Sequence, residues 1–398
     1  MMDHLDCTVL SAFLKTVPDP RNKHGQRYTW DYVLTLLCMG LASGLKTPYA
    51  IYRWGKWNEE ELVRQLAPAR ESTPGKMVFY RALNKMDIGA LETSAAKYGE
   101  TMDEWLREQA HEESSKRQGW RAVSADGKEL RGASKHGPKV LLVSLVCHKS
   151  GITVGQTRAK GKPYEPHALA ELLRGQDLKG TVITADALYT HEDLAQQILD
   201  QGGDYFLVVK GNQPRLQEDI AFCFDQNPLP GEERWETVRH HKGHGRIETR
   251  RVISTEVLND YLRMPGVGQV VQRECSRTLM KTRETQKAIT YAITSLTHAR
   301  ASVEQLADLW RGQWTIENRS HYVRDETMGE DRGQFAQGDA PQAMAALRNA
   351  VLAALRARGW DSIADAIRYH AASITHSVAL VTKSLSERSL QLLPTFPR

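Results

Sequence analysis

Three carboxylates stand out in this 398-residue chain as side chains whose type and setting could do chemistry. Asp126 lies in "VSADGK", where a strand-like run gives out, and Asp186 lies in "VITADALYT", directly after an apolar run that reads as a buried strand. An acid that ends a buried strand sits at the rim of its sheet, where the ligand sites of α/β sheets gather. Singly, each reads at least as readily as a turn or helix-cap aspartate, and their occurrence on successive parts of one sheet weakens that plain reading. Glu317 belongs to "WTIENRSHYVRDETMGEDRG", Trp314 to Gly333. On an α-helix, Trp310, Trp314, Glu317, His321, Arg324 and Met328 recur at steps of three and four and share a face. That face begins apolar and then carries charge, which burial penalises unless it is paired. A Glu–Arg pair on a half-buried surface accounts for this and contributes little. The alternative is that Glu317 points at Asp126 and Asp186.

Three carboxylates meeting at one point need a cation among them. Oxygen-only ligation favours Mg2+, with Mn2+ able to substitute. Such a site suits phosphoryl transfer, in which paired ions roughly 3.5–4 Å apart flank an in-line displacement. The chain has no GxxxxGK(S/T) phosphate loop, no GxSxG elbow and no HExxH zinc helix. The histidines of "HHKGH" (His240, His241, His244) lack paired acids or cysteines and read as a nucleic-acid-facing loop rather than a metal site.

The elements that must position these residues follow from periodicity. Residues to about 118 are expected to be helical, with the apolar Val33–Gly44 run as a buried helix too short to span a bilayer. An arm, "PDPRNKHGQRY", precedes it and carries Arg21, Lys23, His24 and Arg27; it reads equally as a solvated loop and as a phosphate-contacting segment. From Trp120, three β-like runs are followed by helix, strand, helix, strand and helix, which predicts a mixed sheet with helices on its faces. Residues 226 to about 300 break that alternation with strands rich in Arg, Lys and His; helices resume at "VEQLADLWRGQW", and a loosely packed tail is expected after 374.

Composition supports a globular protein, at 41% hydrophobic and 25% charged. A net charge of +5 is a mild basic bias compatible with nucleic acid. Five irregularly spaced cysteines with no CxxC pair argue against a disulfide framework or structural zinc. The start "MMDHLDCTVL" has no basic region followed by an apolar run, so a soluble, cytoplasmic protein is expected.

In their order and spacing, "DPRNKHGQRY", "SADGKELRGA", "VITADALYT", "GGDYFLVVKGNQ", "HGRIETR", "WTIENRSHYVRDETMGED" and "APQAMAALRNAV" resemble the DDE transposases of bacterial insertion sequences, in the group of H-repeat-associated proteins. The resemblance spans nearly the whole chain. It implies a ribonuclease-H-like α/β core whose acidic triad is Asp126, Asp186 and Glu317, holding Mg2+. Glu330 and Asp331 are then structural or peripheral. It implies an N-terminal helical DNA-binding domain (1–118), a core in two parts (119–225 and 301–373) around a β-rich insertion (226–300), and a tail (374–398), with the N-terminal region and the basic insertion binding the element ends. It also implies double-stranded DNA as partner, both terminal inverted repeats and target, and a homodimer that pairs two element ends. Relatives carry Tyr, Arg and Lys beside the glutamate; here those steps fall on Trp310, Gln313 and Arg324, with Arg311 able to supply the charge that Gln313 lacks. Lys128, Arg131 and Lys210 are expected as further phosphate contacts. The implied reaction is cleavage at the element ends followed by joining of the 3′-hydroxyl to target DNA. A nuclease of the same fold that does not join, or a domesticated DNA-binding protein, are the rival expectations.

Overall fold

The computed structural model describes residues 8–22, 26–113, 120–134, 137–243, 245–333 and 337–385. They fall into two compact units, one of 1–117, 127–162 and 316–398 and the other of 118–126 and 163–315. The chain thus passes back and forth between its two units.

The first unit is built mainly of helices: α1 (Leu10–Leu14), α2 (Trp30–Ala42), α3 (Pro48–Trp57), α4 (Glu59–Leu66), α5 (Lys76–Lys85) and α6 (Ile88–Glu113). The end of strand β1 (Arg121–Glu129) follows, then the single turn α7 (Arg131–Ser134) and the antiparallel hairpin of β2 (Leu141–Cys147) and β3 (Thr153–Ala159). The Val33–Gly44 run lies largely in α2, which is buried except at Asp31. Gly99 lets α6 lie on β3, since a Cβ there would come within 2.2 Å of the Thr153 carbonyl oxygen.

The second unit holds the start of β1, then α8 (Glu165–Leu173), β4 (Thr181–Ala185), α9 (Glu192–Asp200), β5 (Asp204–Val209) and α10 (Pro214–Asp225). Four longer strands follow, β6 (Trp235–Gly243), β7 (Arg246–Thr255), β8 (Gln269–Leu279) and β9 (Thr285–Thr294), and then α11 (Val303–Gly312). β4 and β5 are buried along their whole length, as expected of central parallel strands covered on both faces. Strand order is β3-β2-β1-β4-β5-β9-β8-β7-β6, parallel across β1-β4-β5 and antiparallel from β5 through β9 to β6. This is the ribonuclease-H-like mixed sheet that the resemblance implies. The region expected as a β-rich insertion is a four-stranded meander that continues this sheet through β9; "RWETVRHHKGHGRIETRRVIS" folds as two paired strands, with His240 and His241 in β6, opposite Thr249 and Glu248, rather than in a loop. Ala301, Val303, Leu306 and Trp310 of the α11 region bury against Phe206, Val252, Val271 and Ala292. Each such buried side chain contributes about 1.5–3 kcal/mol.

After α11 the chain does not run on as the single α-helix expected for 310–328. It winds as π-helix over Ile316–His321 and again over Val323–Thr327. The i→i+5 bonding widens each turn to slightly over four residues, so positions at steps of four share a face. Ile316, Ser320, Arg324 and Met328 are accordingly buried, while Trp314, Glu317, Asn318 and Tyr322 are exposed. The predicted stripe is therefore split: Glu317 faces out and Arg324 faces in. Beyond it, the first unit closes with α12 (Ala340–Ala357), α13 (Ile363–Ala372) and α14 (Ile374–Thr382). Ala- and Leu-rich α12 is buried at every position. The expected loose tail begins as α14, whose Ser377, Val378, Leu380 and Val381 are buried; residues 386–398 lie outside the described ones.

Candidate active site

Three parallel strands, β1, β4 and β5, bring three candidate side chains to one edge. The β1–β4 register sets Ala125 opposite Ala185, so Asp126 and Asp186 come side by side where that pairing ends, Asp186 just past β4 and Asp126 within β1, which runs on to Glu129 rather than giving out at the acid. β4 pairs in parallel with β5, with Ala185 opposite Leu207, and Lys210 leaves the end of β5. Its Nζ donates to both Asp186 oxygens, at 2.8 and 3.1 Å. Both side chains of this pair are about half exposed, so it is open to solvent and to ligand.

The turn after Asp186 is clamped from the segment after β5. Asn212 Nδ2 donates to the Ala187 carbonyl at 2.7 Å, and Gln213 Nε2 to the Thr190 carbonyl at 2.8 Å. Below them the buried Tyr189 hydroxyl donates to Glu165 Oε2 at 2.8 Å. Burial, with the negative charges of Glu165, Asp126 and Asp186 around it, pushes the Tyr189 phenol far up, so it remains a proton donor throughout the working pH range.

Sequence reasoning marked Gln313 only as a lost positive charge and missed what its amide does. Its Nε2 donates to the carbonyl of Ala125 at 3.2 Å, and its Oε1 accepts from Thr184 Oγ1. One amide thus stitches β1 to β4 immediately beneath the two aspartates, from a position four residues before Glu317. Where relatives carry an arginine for phosphate, this chain has a neutral group turned to the strands. Nothing in the sequence marks that orientation; the only signal was its spacing from Glu317.

The predicted basic contacts divide. Arg131, Arg311 and Arg27 are exposed, and the Arg131 amide also donates to Asp331 Oδ1 at 3.0 Å. Arg21 is tied down: it makes a two-pronged pair with Asp19, donates to the Tyr28 carbonyl at 2.8 Å and lies over the Trp30 ring. Lys23 lies outside the described residues. Two expected phosphate contacts are buried instead. Lys128 is 6% exposed, with its Nζ 2.5 Å from Asp325 Oδ1 and 3.4 Å from Glu330 Oε2. Arg324 is wholly buried and pairs with Glu330 at 2.8 Å. Arg348 completes the group at 3.3 Å, and these three cations hold the Glu330 carboxyl down to about 2 against the cost of its burial. Glu330 is therefore a structural acid. Burial beside Arg324 and Lys128 also pushes His321 down to about 3, which keeps its ring neutral.

Asp126 and Asp186 are hard oxygen donors at adjacent positions, a donor type that suits Mg2+ or Mn2+, and the Lys210 ammonium competes with such an ion for Asp186. Glu317 is exposed at the start of the π-helical segment, in the other unit. Among the described residues, no three His, Cys, Asp or Glu side chains are gathered as a metal-holding group. No helix among them is long and apolar enough to cross a membrane.

Comparison with known proteins gives these features a setting. Residues 110–354 match a family described as "Transposase DDE domain", and residues 11–99 match one described as "DDE_Tnp_1-associated". The chain is 28% identical over 349 residues to the H repeat-associated putative transposase YhhI of Escherichia coli K12, covering 85% of this chain and 88% of that protein. It is 26% identical to putative protein YbfL of the same strain over 349 residues, with the same coverage. With H repeat-associated putative transposase YbfD it shares 31% over 256 residues, 64% of this chain and 96% of the relative. Among solved structures, the piggyBac transposase synaptic complex with hairpin DNA aligns with a TM-score of 0.42 at 10% identity, covering 100% of this chain and 81% of that one.

Proposed function

The chain belongs to the transposase DDE-domain family, and from that premise we propose that it is a metal-dependent DNA transposase that cuts at insertion-sequence ends and joins the freed 3′-hydroxyl to target DNA. The observation that supports this reading is that Asp126 and Asp186 lie side by side where the parallel pairing of β1 and β4 ends, with Gln313, four residues before Glu317, bonded to both strands. Asp126, Asp186 and Glu317 would hold Mg2+, or Mn2+ in its place. When bound, the metal supplies charge neutralisation and a more acidic attacking oxygen.

The rest is positioning by this chain's own groups. Gln313 fixes the spacing of the two strand ends. Asn212 and Gln213 hold the turn that aims Asp186. Lys210, drawn to Asp186 in the free protein, offers its ammonium to a phosphate oxygen, and exposed Arg131, Arg311 and Arg27 are the remaining phosphate contacts. Double-stranded DNA is the partner, as terminal repeats and as target. Two copies pair the two ends, and the work is done in the cytoplasm.

The test is cleavage and joining of a labelled element-end duplex with Mg2+, comparing wild type with Glu317→Gln. The reading requires that wild type cut and join while Glu317→Gln binds the duplex and does neither. A mutant that cuts as well as wild type would remove Glu317 from the site. A wild type that cuts without joining would make the protein a nuclease, and one that binds without cutting a DNA-binding protein.

A further inference from the structure

The passage that carries Glu317 is held by a buried cation with no acid beside it. Arg356 stands on α12, 6% exposed in a helix made largely of Ala and Leu. Among the described residues no carboxylate pairs with it. Burial, with the Arg319 guanidinium close by, pushes Arg356 down to about 9, so it stays charged at neutral pH. A charge buried without a counter-ion is costly and persists where its hydrogen bonds are met. Here they are met by backbone: Nη1 donates to the Gly151 carbonyl and Nη2 to the Arg319 carbonyl.

One fork thus ties two segments of the first unit together. Gly151 lies in the turn between β2 and β3, and Arg319 lies two residues after Glu317 in the first π-helical stretch. Arg319 returns the contact, its Nη1 donating to the Lys149 carbonyl of the same turn at 2.6 Å. The turn admits that side chain because Gly151 has none: a Cβ there would come within 2.9 Å of Arg319 Nε. Asn349 stands seven residues before Arg356, on the same face of α12, and its Oδ1 lies 3.5 Å from Arg324 Nη1. That face therefore meets the passage at 319 and again at 324, which is the i→i+5 spacing of π winding. In ordinary winding the Arg319 carbonyl would accept from the Val323 amide. A guanidinium drawing that carbonyl outward favours the wider turn.

We infer that Arg356 and Arg319 are positioning residues for Glu317: they pin the stretch that carries the acid to the β2–β3 turn and hold it in π winding. The consequence for catalysis rests on the proposed role of Glu317, whereas the pinning itself does not. The two side chains differ in what can replace them. Arg319 reaches its carbonyl through one nitrogen, which a lysine ammonium can supply. Arg356 spans two carbonyls with one planar fork, and lysine has no such fork.

The experiment follows amide hydrogen exchange over 316–322 in the full chain, without metal or DNA, as a ratio to exchange over α12. The variants are Arg319→Ala, Arg319→Lys and Arg356→Lys, with Leu352→Ala, a buried position on α12, as the comparison for general loss of stability. Arg319→Ala and Arg356→Lys should lower the relative protection of 316–322 about tenfold or more. Arg319→Lys should stay within about threefold of wild type, and Leu352→Ala should leave the ratio unchanged. In cleavage of a labelled element-end duplex, Arg319→Ala and Arg356→Lys should need about tenfold more Mn2+ for half-maximal rate, with duplex affinity in EDTA unchanged. Arg319→Lys and Leu352→Ala should need the wild-type amount. The inference is overturned if the exchange ratio is unchanged in Arg319→Ala and Arg356→Lys, if Leu352→Ala shifts it as much, or if lysine at 319 fails to restore it. It also falls if exchange changes while the Mn2+ requirement of a cleaving protein does not, since the pair then positions something other than Glu317. A wild type that never cleaves would remove the proposed reaction, and exchange alone would then decide the pinning.

Discussion

Replacing Glu330 by Gln should cost this protein several kcal/mol, whereas the same change at Glu317, thirteen residues earlier, should cost almost nothing. Glu330 is 6% exposed and shared by Arg324, Arg348 and Lys128, all buried. Taking away its charge leaves three cations in a low-dielectric setting without their common partner, and breaking a buried pair in this way costs about 3–5 kcal/mol. The depressed carboxyl expresses the same pairing on the proton scale. The carboxyl is held down from 4.5 to about 2, and a difference of that size is worth about 3 kcal/mol. Because the folded protein binds this proton less tightly than the unfolded chain, the stabilisation is complete above about 4.5 and is lost as pH falls through about 2. Thermal unfolding at pH 7 should show Glu330→Gln melting on the order of 6 °C or more below wild type. Between pH 4.5 and 2 the two curves should converge. Glu317 is exposed, and its Gln variant should stay within about 0.5 kcal/mol of wild type. A Glu330→Gln protein that melts with wild type, or a gap that persists to pH 2, would refute the view of Glu330 as keystone of the cluster.

Three further outcomes are expected. Gln313→Ala frees the two strand ends without touching DNA, so end cleavage should slow about 100-fold while duplex affinity and melting temperature change little. Lys210→Gln removes the ammonium that sits on Asp186, so stabilisation by Mn2+, read as a shift in melting temperature without DNA, should set in at lower metal concentration than in wild type. Gly132→Ala would place a Cβ 2.6 Å from the Gly333 carbonyl oxygen and 2.7 Å from that of Asp331, and should destabilise by about 1–3 kcal/mol with no change in the salt dependence of binding.

The parallel centre was legible because it is locally written. "TVITA" and "DYFLVV" are largely apolar runs of the kind a doubly covered strand needs, and Asp186 and Lys210 follow directly after them. The helices before residue 114 were legible by the same logic of period. The winding after α11 was not: Trp314, Glu317, His321, Arg324 and Met328 fit a period of 3.6 as text, and only the backbone hydrogen bonds disclose the wider turn that separates Glu317 from Arg324. Lys128 and Arg324 misled because charge suggests solvent, while the partner that buries them, Glu330, is recognisable only in three dimensions. The meander was read as strands but not as part of the sheet, since a pairing such as Phe206 with Thr294 joins residues far apart in the chain.

The π-helical passage from Ile316 to Thr327 also sets the protein's tolerance of length. An α-helix advances about 100° per residue, and a π turn absorbs one extra residue without moving the ends of the helix that contains it. Deleting a single residue between Glu317 and Arg324 while the wide winding is held in place by its buried face would remove one step of it. The price would be phase: either the acid rotates by roughly a quarter turn, or the buried guanidinium leaves Glu330. Substitutions here perturb one side chain at a time, whereas a one-residue deletion shifts the phase of the acid against the cluster that anchors it. Frame-preserving loss of one codon in this passage should therefore be far less tolerated than the same loss in the exposed turn at 280–284.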